Sequence, residues 1–359
     1  MIFASDQPFN QLPLLPPTCD LDDVQILKKV NTANKALARL NGASLAVPNR
    51  ILLLEPLTVR EAVASSGIEN IHTTVSEVFQ AELFPIEEAP KPQKETLHYK
   101  QALLHGHRYL LEKHFLATNG IIEIQSILEP DKPGIRKLPG TKIADQNTGV
   151  VYYTPPDGEE RLRDYLKNFD DNYNNHTGDV DPLIMNAILH YQFEAIHPFY
   201  DGNGRTGRIL MVLHLVLSQC LDLPILFLSG YINKNRAEYY RLLRAVSSEG
   251  AWKPWILYIL QAIETQALST ATTIDAMLQL QVKLEVAMRQ IKPVLPVKDL
   301  SEYLFSTPFY SRQRLADRLG KHPNSSLKYL NSLEEAGLLT SFSYKREKVF
   351  ILDEFLKLL

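Results

Sequence analysis

Residues 197–217 read HPFYDGNGRTGRILMVLHLVL, and the change of texture halfway along this stretch decides how the chain is read. Its second half, Ile209 to Leu217, is an apolar run interrupted only by His214, suited to a buried helix and about half of what a membrane span needs. Its first half is polar: His197, Asp201, then Gly202-Asn203-Gly204 directly ahead of the helix, then Arg205 and Arg208. A glycine-rich turn feeding a helix N-terminus is an anion site, because the first backbone N–H groups lack intrahelical partners and the helix dipole favours negative charge there. Arg205 and Arg208 sit one turn apart on one face, so both guanidinium forks can address the same anion, and two forks suit a polyphosphate. Asp201 is an oxygen ligand of the kind that holds Mg²⁺ together with substrate phosphates. His197 titrates near neutral pH and can take a proton from an incoming nucleophile. Base, cation ligand, oxyanion donors and charge clamps together are the parts needed for attack on a phosphoryl group.

The rest of the chain sets the frame for this chemistry. With 359 residues, 45% hydrophobic and 22% charged, there is ample material for a large core and more than one domain. A formal net charge of -3 is near neutral, so bulk electrostatics demand neither nucleic acid nor an anionic membrane nor an acidic substrate. Cys19 and Cys220 alone make a disulfide framework or a cysteine metal site improbable and point to a reducing cytoplasm. The opening MIFASDQPFNQLPLLPP has no basic start and no long apolar core, so neither a signal peptide nor a membrane anchor is expected.

Helical spacing begins in DLDDVQILKKVNTANKALARLNG, where Asn41-Gly42 predicts the helix end, and continues to about residue 130. Between Gly134 and Pro156 the chain turns rich in Gly, Pro, Asn and β-branched residues, a hairpin or extended flap signal. Helices resume from Glu159 to about Gln290, and KPVLP (Lys292–Pro296) marks a break. Beyond it the order is helix, turn with Gly320, helix, and two short strands around Tyr344–Lys348, an order similar to a winged helix-turn-helix. The expected division is a helical N-terminal region over 1–115, a central region over 116–290 and a C-terminal module over 291–359. His190 and His214 are read as packing residues, and His105, His107 and His114 lack a recurring acid or cysteine partner at metal-ligand spacing.

The stretch from His197 matches H-x-F-x-[DE]-G-N-G-R-x-x-R at every specified position, a coincidence on the order of 10⁻¹⁰ per window at ordinary residue frequencies. It resembles the signature of the Fic family, whose members mostly transfer AMP from ATP to a hydroxyl-bearing side chain of a target protein. The resemblance implies a mainly α fold: a helical Fic core with a β-hairpin flap, followed by the winged module. It implies His197 as general base, Asp201 as the Mg²⁺ ligand, and Gly202, Asn203, Gly204, Arg205, Thr206, Gly207 and Arg208 as the nucleotide-binding loop, with pyrophosphate leaving. GVVYYTPP resembles the family flap that would pin a target segment as an added strand, and NRAEYYRLL resembles the nucleobase-side helix, with Tyr239 and Tyr240 flanking adenine and ribose.

A second motif, SSGIEN at 65–70, is similar to the family's inhibitory helix in its [ST]-x-x-x-E-[GN] pattern, and its place ahead of the signature resembles the class II arrangement. By that resemblance Glu69 would pair with Arg208 and keep the γ-phosphate out, with Ser65 and Asn70 supporting the helix ends. The partners implied are ATP and a hydroxyl-bearing protein, this chain itself included, and self-association is left open. From residue 311 onward nine Lys or Arg face six Asp or Glu, and Glu334 and Glu335 lie on the recognition-helix candidate, which disfavours phosphate contact. Two rivals to the AMP-transfer reading stay open: a DNA-binding regulator with a nucleotide-sensing Fic-like domain, and a Fic enzyme with another nucleotide donor or with de-AMPylating activity.

Overall fold

The computed structural model describes residues 3–144, 148–175, 180–291, 295–344 and 347–359. The architecture is mainly helical. Helix α1 (Val24–Leu45) opens on Asp23, whose side chain accepts from the amides of Gln25 and Ile26, and it runs parallel to the first half of the 37-residue α11 (Trp252–Met288). Lys29 reaches Glu264 and Gln261 across this seam, and Lys253 reaches Asp23 at 2.7 Å. The expected stop at Asn41-Gly42 is overrun by three residues, because a Cβ at Gly42 would meet nothing and Ser44 is still buried on the inner face. The glycine costs the helix a little entropy, and packing of the following turn outweighs it.

Helices α2 (Leu54–Ile68), α3 (Val75–Ala81) and α4 (Lys91–Lys113) form the N-terminal layer. Thr74 and Glu77 start α3 with a reciprocal capping box. Next come α5 (Thr118–Leu128), a short antiparallel pair β1 (Ile143–Ala144) and β2 (Val151–Tyr153), then α6 (Glu159–Tyr173). The pair lies where the flap was expected, and residues 145–147 between its strands lie outside the described ones. The centre is α7 (Pro182–Ile196) against α8 (Asn203–Leu217), flanked by α9 (Ser229–Lys234) and α10 (Arg236–Glu249). Both central helices are buried nearly all round, as their apolar runs require. Trp255, fully buried, donates from its indole to the Ala187 carbonyl at 2.8 Å and ties α11 to α7.

Of the expected break at KPVLP, residues 292–294 lie outside the described ones. Beyond it the order is α12 (Val297–Leu304), β3 (Phe309–Tyr310), α13 (Arg312–Leu319), α14 (Pro323–Glu335), β4 (Thr340–Tyr344), β5 (Glu347–Ile351) and α15 (Asp353–Leu356). The three strands make one antiparallel sheet with β5 in the middle. The main apolar core is continuous from Leu12 through the central helices to Leu330 and Phe355 in this module. Among the described residues no helix is long and apolar enough to cross a membrane.

Candidate functional site

Helix α7 ends at His197, which takes the left-handed conformation at φ 49°. A non-glycine residue there is strained, and the surroundings hold it. Its amide donates to the Phe193 carbonyl at 3.0 Å, and its own carbonyl accepts from Arg136 Nε at 2.8 Å. Arg136, 1% exposed, also reaches the carbonyls of Pro156 and Ile196, so one guanidinium staples the end of α7 to the base of the flap. Asn203 then locks the loop from the other side: its carboxamide accepts from Phe199 N at 2.9 Å and donates to Phe199 O at 2.8 Å. Burial, reinforced by Arg136, pushes the His197 imidazole down to about 4, against the Glu194 carbonyl and the Glu69 and Asp201 carboxylates that act the other way. Its Nδ1 is enclosed on the protein side, so Nε2 is the nitrogen left for the cleft that His197 lines.

Gly202 caps α8 at φ 77°, and a Cβ there would press on Glu129 Cγ at 2.9 Å, so this corner requires glycine. The first intrahelical bond runs from Thr206 N to Gly202 O at 2.8 Å, leaving the amides of residues 203–205 unspent by the helix. These residues border a cleft of about 970 Å³ together with His197, Asp201 and Glu69. Its volume suits a nucleotide-sized ligand.

The two arginines diverge. Arg208, on the fully buried side, donates from Nε to Ser65 Oγ at 2.8 Å and from one Nη to Ser65 O at 3.1 Å and Glu69 Oε1 at 2.8 Å. Burial alone would lower its pKa, but the Glu69 carboxylate and the Tyr239 and Tyr99 hydroxyls hold it well above the ordinary value. Arg205 turns the other way to Glu129, with Glu95 at 3.8 Å. The expectation that both forks address one anion therefore does not describe this arrangement; each fork is held by a carboxylate from a different helix layer. The Glu69 carboxylate also lies over the helix N-terminus, since a Cβ on Gly204 would come within 2.5 Å of its Oε1. Glu69 thus covers both the cation and the backbone anion site.

Asp201 accepts from Lys132 Nζ at 2.7 Å and from Gly202 N at 2.8 Å; burial would raise its pKa, and these partners outweigh it and keep it low. Thr206 is fully buried, and Gly207 leaves room for Glu194 and Phe193, which a Cβ would strike. Ser65 does more than support a helix end, because it contributes two of the three bonds to Arg208. Asn70, at φ 62° just past α2, accepts from Arg236 at 2.9 Å. Tyr239 is 1% exposed, its hydroxyl 2.9 Å from His190 Nε2 and its ring near Trp255, whereas Tyr240 keeps part of its surface. His214 packs beside Asn186 at 3.2 Å.

Among the residues at the site that escaped the sequence reading are Glu95, Glu129, Lys132, Arg136 and Glu194. None lies in a spacing that marks it, and each works across the fold. Glu194 is buried, with its Oε1 lacking a hydrogen bond among the described residues, and burial pushes its pKa up to about 8 although Arg208 acts the other way.

Known proteins share parts of this sequence and its fold. The Fic/DOC family N-terminal model matches residues 27–108, and the Fic/DOC family model matches residues 95–215. The chain is similar to protein adenylyltransferase fic-1 of Caenorhabditis elegans, 32% identical over 146 residues, 38% of this chain and 26% of that protein. It is likewise similar to protein adenylyltransferase Fic of Drosophila willistoni, 31% identical over 147 residues, 40% of this chain and 28% of that protein. The match thus spans about a quarter of the length of these curated relatives. In fold it is similar to the crystal structure of a Fic family protein from Desulfovibrio desulfuricans, with TM-score 0.61 at 20% identity over 96% of this chain and 98% of that one. A fragment of fic-1 from Caenorhabditis elegans aligns with TM-score 0.52 at 22% identity, over 68% of this chain and 72% of that one. With the two adjoining domains running through residues 27–215, a little over half its length, the chain belongs to the Fic/DOC family.

Proposed function

We propose that this protein is a protein adenylyltransferase that transfers AMP from ATP to a Ser, Thr or Tyr hydroxyl of a target protein, and that Glu69 holds it inactive in isolation. One observation carries the reading: the neutral imidazole of His197 and the residues at the start of α8 line one cleft, and the Glu69 carboxylate that lines it too sits against the N-terminus of α8 and pairs with the buried Arg208, where phosphate oxygens would sit. The unspent amides and Arg208 would bind the phosphate chain. His197, kept neutral, would take the proton of the attacking hydroxyl through Nε2 while its oxygen bonds to the α-phosphorus. The bond from that phosphorus to the bridging oxygen breaks, and pyrophosphate leaves. Arg136 and Asn203 act by holding His197 and its loop in place.

A divalent cation such as Mg²⁺ is implied by this chemistry, and Asp201 fits it. Its carboxylate borders the cleft and stays ionised, and among the described residues no group of three His, Cys, Asp or Glu competes as a metal cage. A single carboxylate suits an ion held mainly by substrate phosphates, where it would neutralise charge on the departing pyrophosphate.

Glu69 and a nucleotide phosphate compete for one guanidinium, which supports autoinhibition. The test is incorporation of labelled nucleotide from Mg·ATP, with UTP and GTP as competitors, into the protein and into a lysate. Labelling should emerge in Glu69→Gly and vanish in Glu69→Gly/His197→Ala. An absence of labelling from every nucleotide in every variant would overturn the proposal.

A further inference from the structure

Helix α2 presents Ser65 to Arg208 on the face it shares with Glu61, whose carboxylate accepts from Ser229 N at 2.9 Å and from Tyr99 Oη at 3.1 Å. Val59 and Val63 lie on the opposite face, since residues two apart in a helix point nearly opposite ways. That opposite face is not in water. Val59 is fully buried in a second apolar cluster with Phe79 of α3 and Leu97 of α4, and the same cluster takes in Phe309 and Val349 from the strands of the C-terminal module. Val63, Phe342 and Tyr344 pack on its rim, and the Tyr344 ring stands 5.3 Å from that of Phe84. Leu359 borders a hollow of about 260 Å³ with Arg60, Val63 and Gly67 along the outer side of α2.

Ten of the fifteen residues of α2 are buried, so the helix is clamped from both sides and cannot leave Arg208 without sliding against the module. At the first turn of α2, Glu55 and Glu82 share the buried Lys100, beside a cavity of about 440 Å³ that also touches Tyr303 and Arg314 of the module.

We propose that the C-terminal module braces the inhibitory helix: its sheet, seated on Val59 and Val63 through the second cluster, keeps α2 pressed onto Arg208, and whatever lifts the module releases the lock. The inference rests on the reading of Glu69 as inhibitor. It places the controlling surface on the far side of α2 from the cleft. By linkage, a nucleotide that displaces Glu69 loosens the module to the same degree.

The test uses the full chain as wild type, Phe342→Ala and the milder Tyr344→Ser, each with and without Glu69→Gly. Hydrogen exchange over residues 54–70 is read alongside affinity for a non-hydrolysable Mg·ATP analogue. With Glu69 present, the module variants should speed exchange in 54–70 and tighten nucleotide binding about fivefold or more. With Glu69→Gly they should add nothing to affinity. Faster exchange over 309–351 with 54–70 and affinity unchanged would overturn the brace, as would an equal gain in both backgrounds. If Phe342→Ala yields no folded protein, Tyr344→Ser decides on the same terms. If Glu69→Gly alone leaves affinity unchanged, the inhibitory reading fails, while exchange over 54–70 still judges the brace.

Discussion

Replacing Glu69 by glycine should tighten nucleotide binding and, in the ligand-free chain, lower stability. Arg208 is 1% exposed and gives Glu69 one of its three hydrogen bonds, at 2.8 Å. An outer phosphate must take the guanidinium from that carboxylate, so the free energy of the contact is subtracted from binding. A hydrogen bond between charged groups contributes about 1.5–3 kcal/mol. The Glu69 side chain is 34% exposed, and solvent screening brings the figure to about 1–2 kcal/mol. The apparent Kd for a non-hydrolysable Mg·ATP analogue should therefore fall about 5- to 30-fold in Glu69→Gly, measured by isothermal titration calorimetry. Without nucleotide the same variant leaves the buried Arg208 with only Ser65, and its Tm should drop by about 2–4 °C. Saturating analogue should reverse that order. A Kd change below about twofold, or a ligand-free variant that melts above wild type, would refute the reasoning, because either means that Glu69 and the phosphates do not compete for one cation.

Other perturbations probe the surroundings of this lock. The folded His197 holds its proton only below about pH 4, so AMP transfer by Glu69→Gly should stay level from pH 7 to about 5 and fall as the imidazole protonates below that; a limb near pH 6.5 would contradict it. Glu194 is retained in its protonated form up to about pH 8, whereas an unfolded glutamate releases its proton near 4.5. Stability is therefore lost as pH rises between those values, and Glu194→Gln should gain about 1–3 kcal/mol relative to wild type at pH 8 and much less at pH 5, read by urea unfolding. Arg136→Gln breaks the staple on the His197, Ile196 and Pro156 carbonyls; kcat in the Glu69→Gly background should fall about tenfold or more while nucleotide Kd stays within twofold, because the phosphate-binding groups do not touch Arg136.

The elements around the site were legible wherever their cause is local. The apolar run from Ile209 demanded a buried helix, Gly202-Asn203-Gly204 marked a turn ahead of it, and the amides that follow are unspent for reasons confined to one turn. The misplaced end of α1 has a local cause too, outweighed by a distant one: Asn41-Gly42 permits a stop, but burial of Ser44 carries the helix on. The resemblance of SSGIEN to an inhibitory helix pointed at Glu69, yet the larger part played by Ser65 depends on its carbonyl and hydroxyl both facing α8.

By itself the sequence determined the helical architecture, the anion-binding turn and the chemical types gathered at it, because spacing along one helix or one loop decides which groups share a face. How those groups are spent depends on the packing of segments far apart in the chain. Arg205 and Arg208 have the same side chain three residues apart, yet one turns to Glu129 and the other to Glu69, 139 residues away in the chain. Arg136 reaches His197 across 61 residues, and Tyr239 is taken into the core by His190 and Trp255. No periodicity encodes such partners. They are chosen when helices dock, since a buried charge or hydroxyl must pair with whatever polar group the packing of distant segments brings within hydrogen-bond reach.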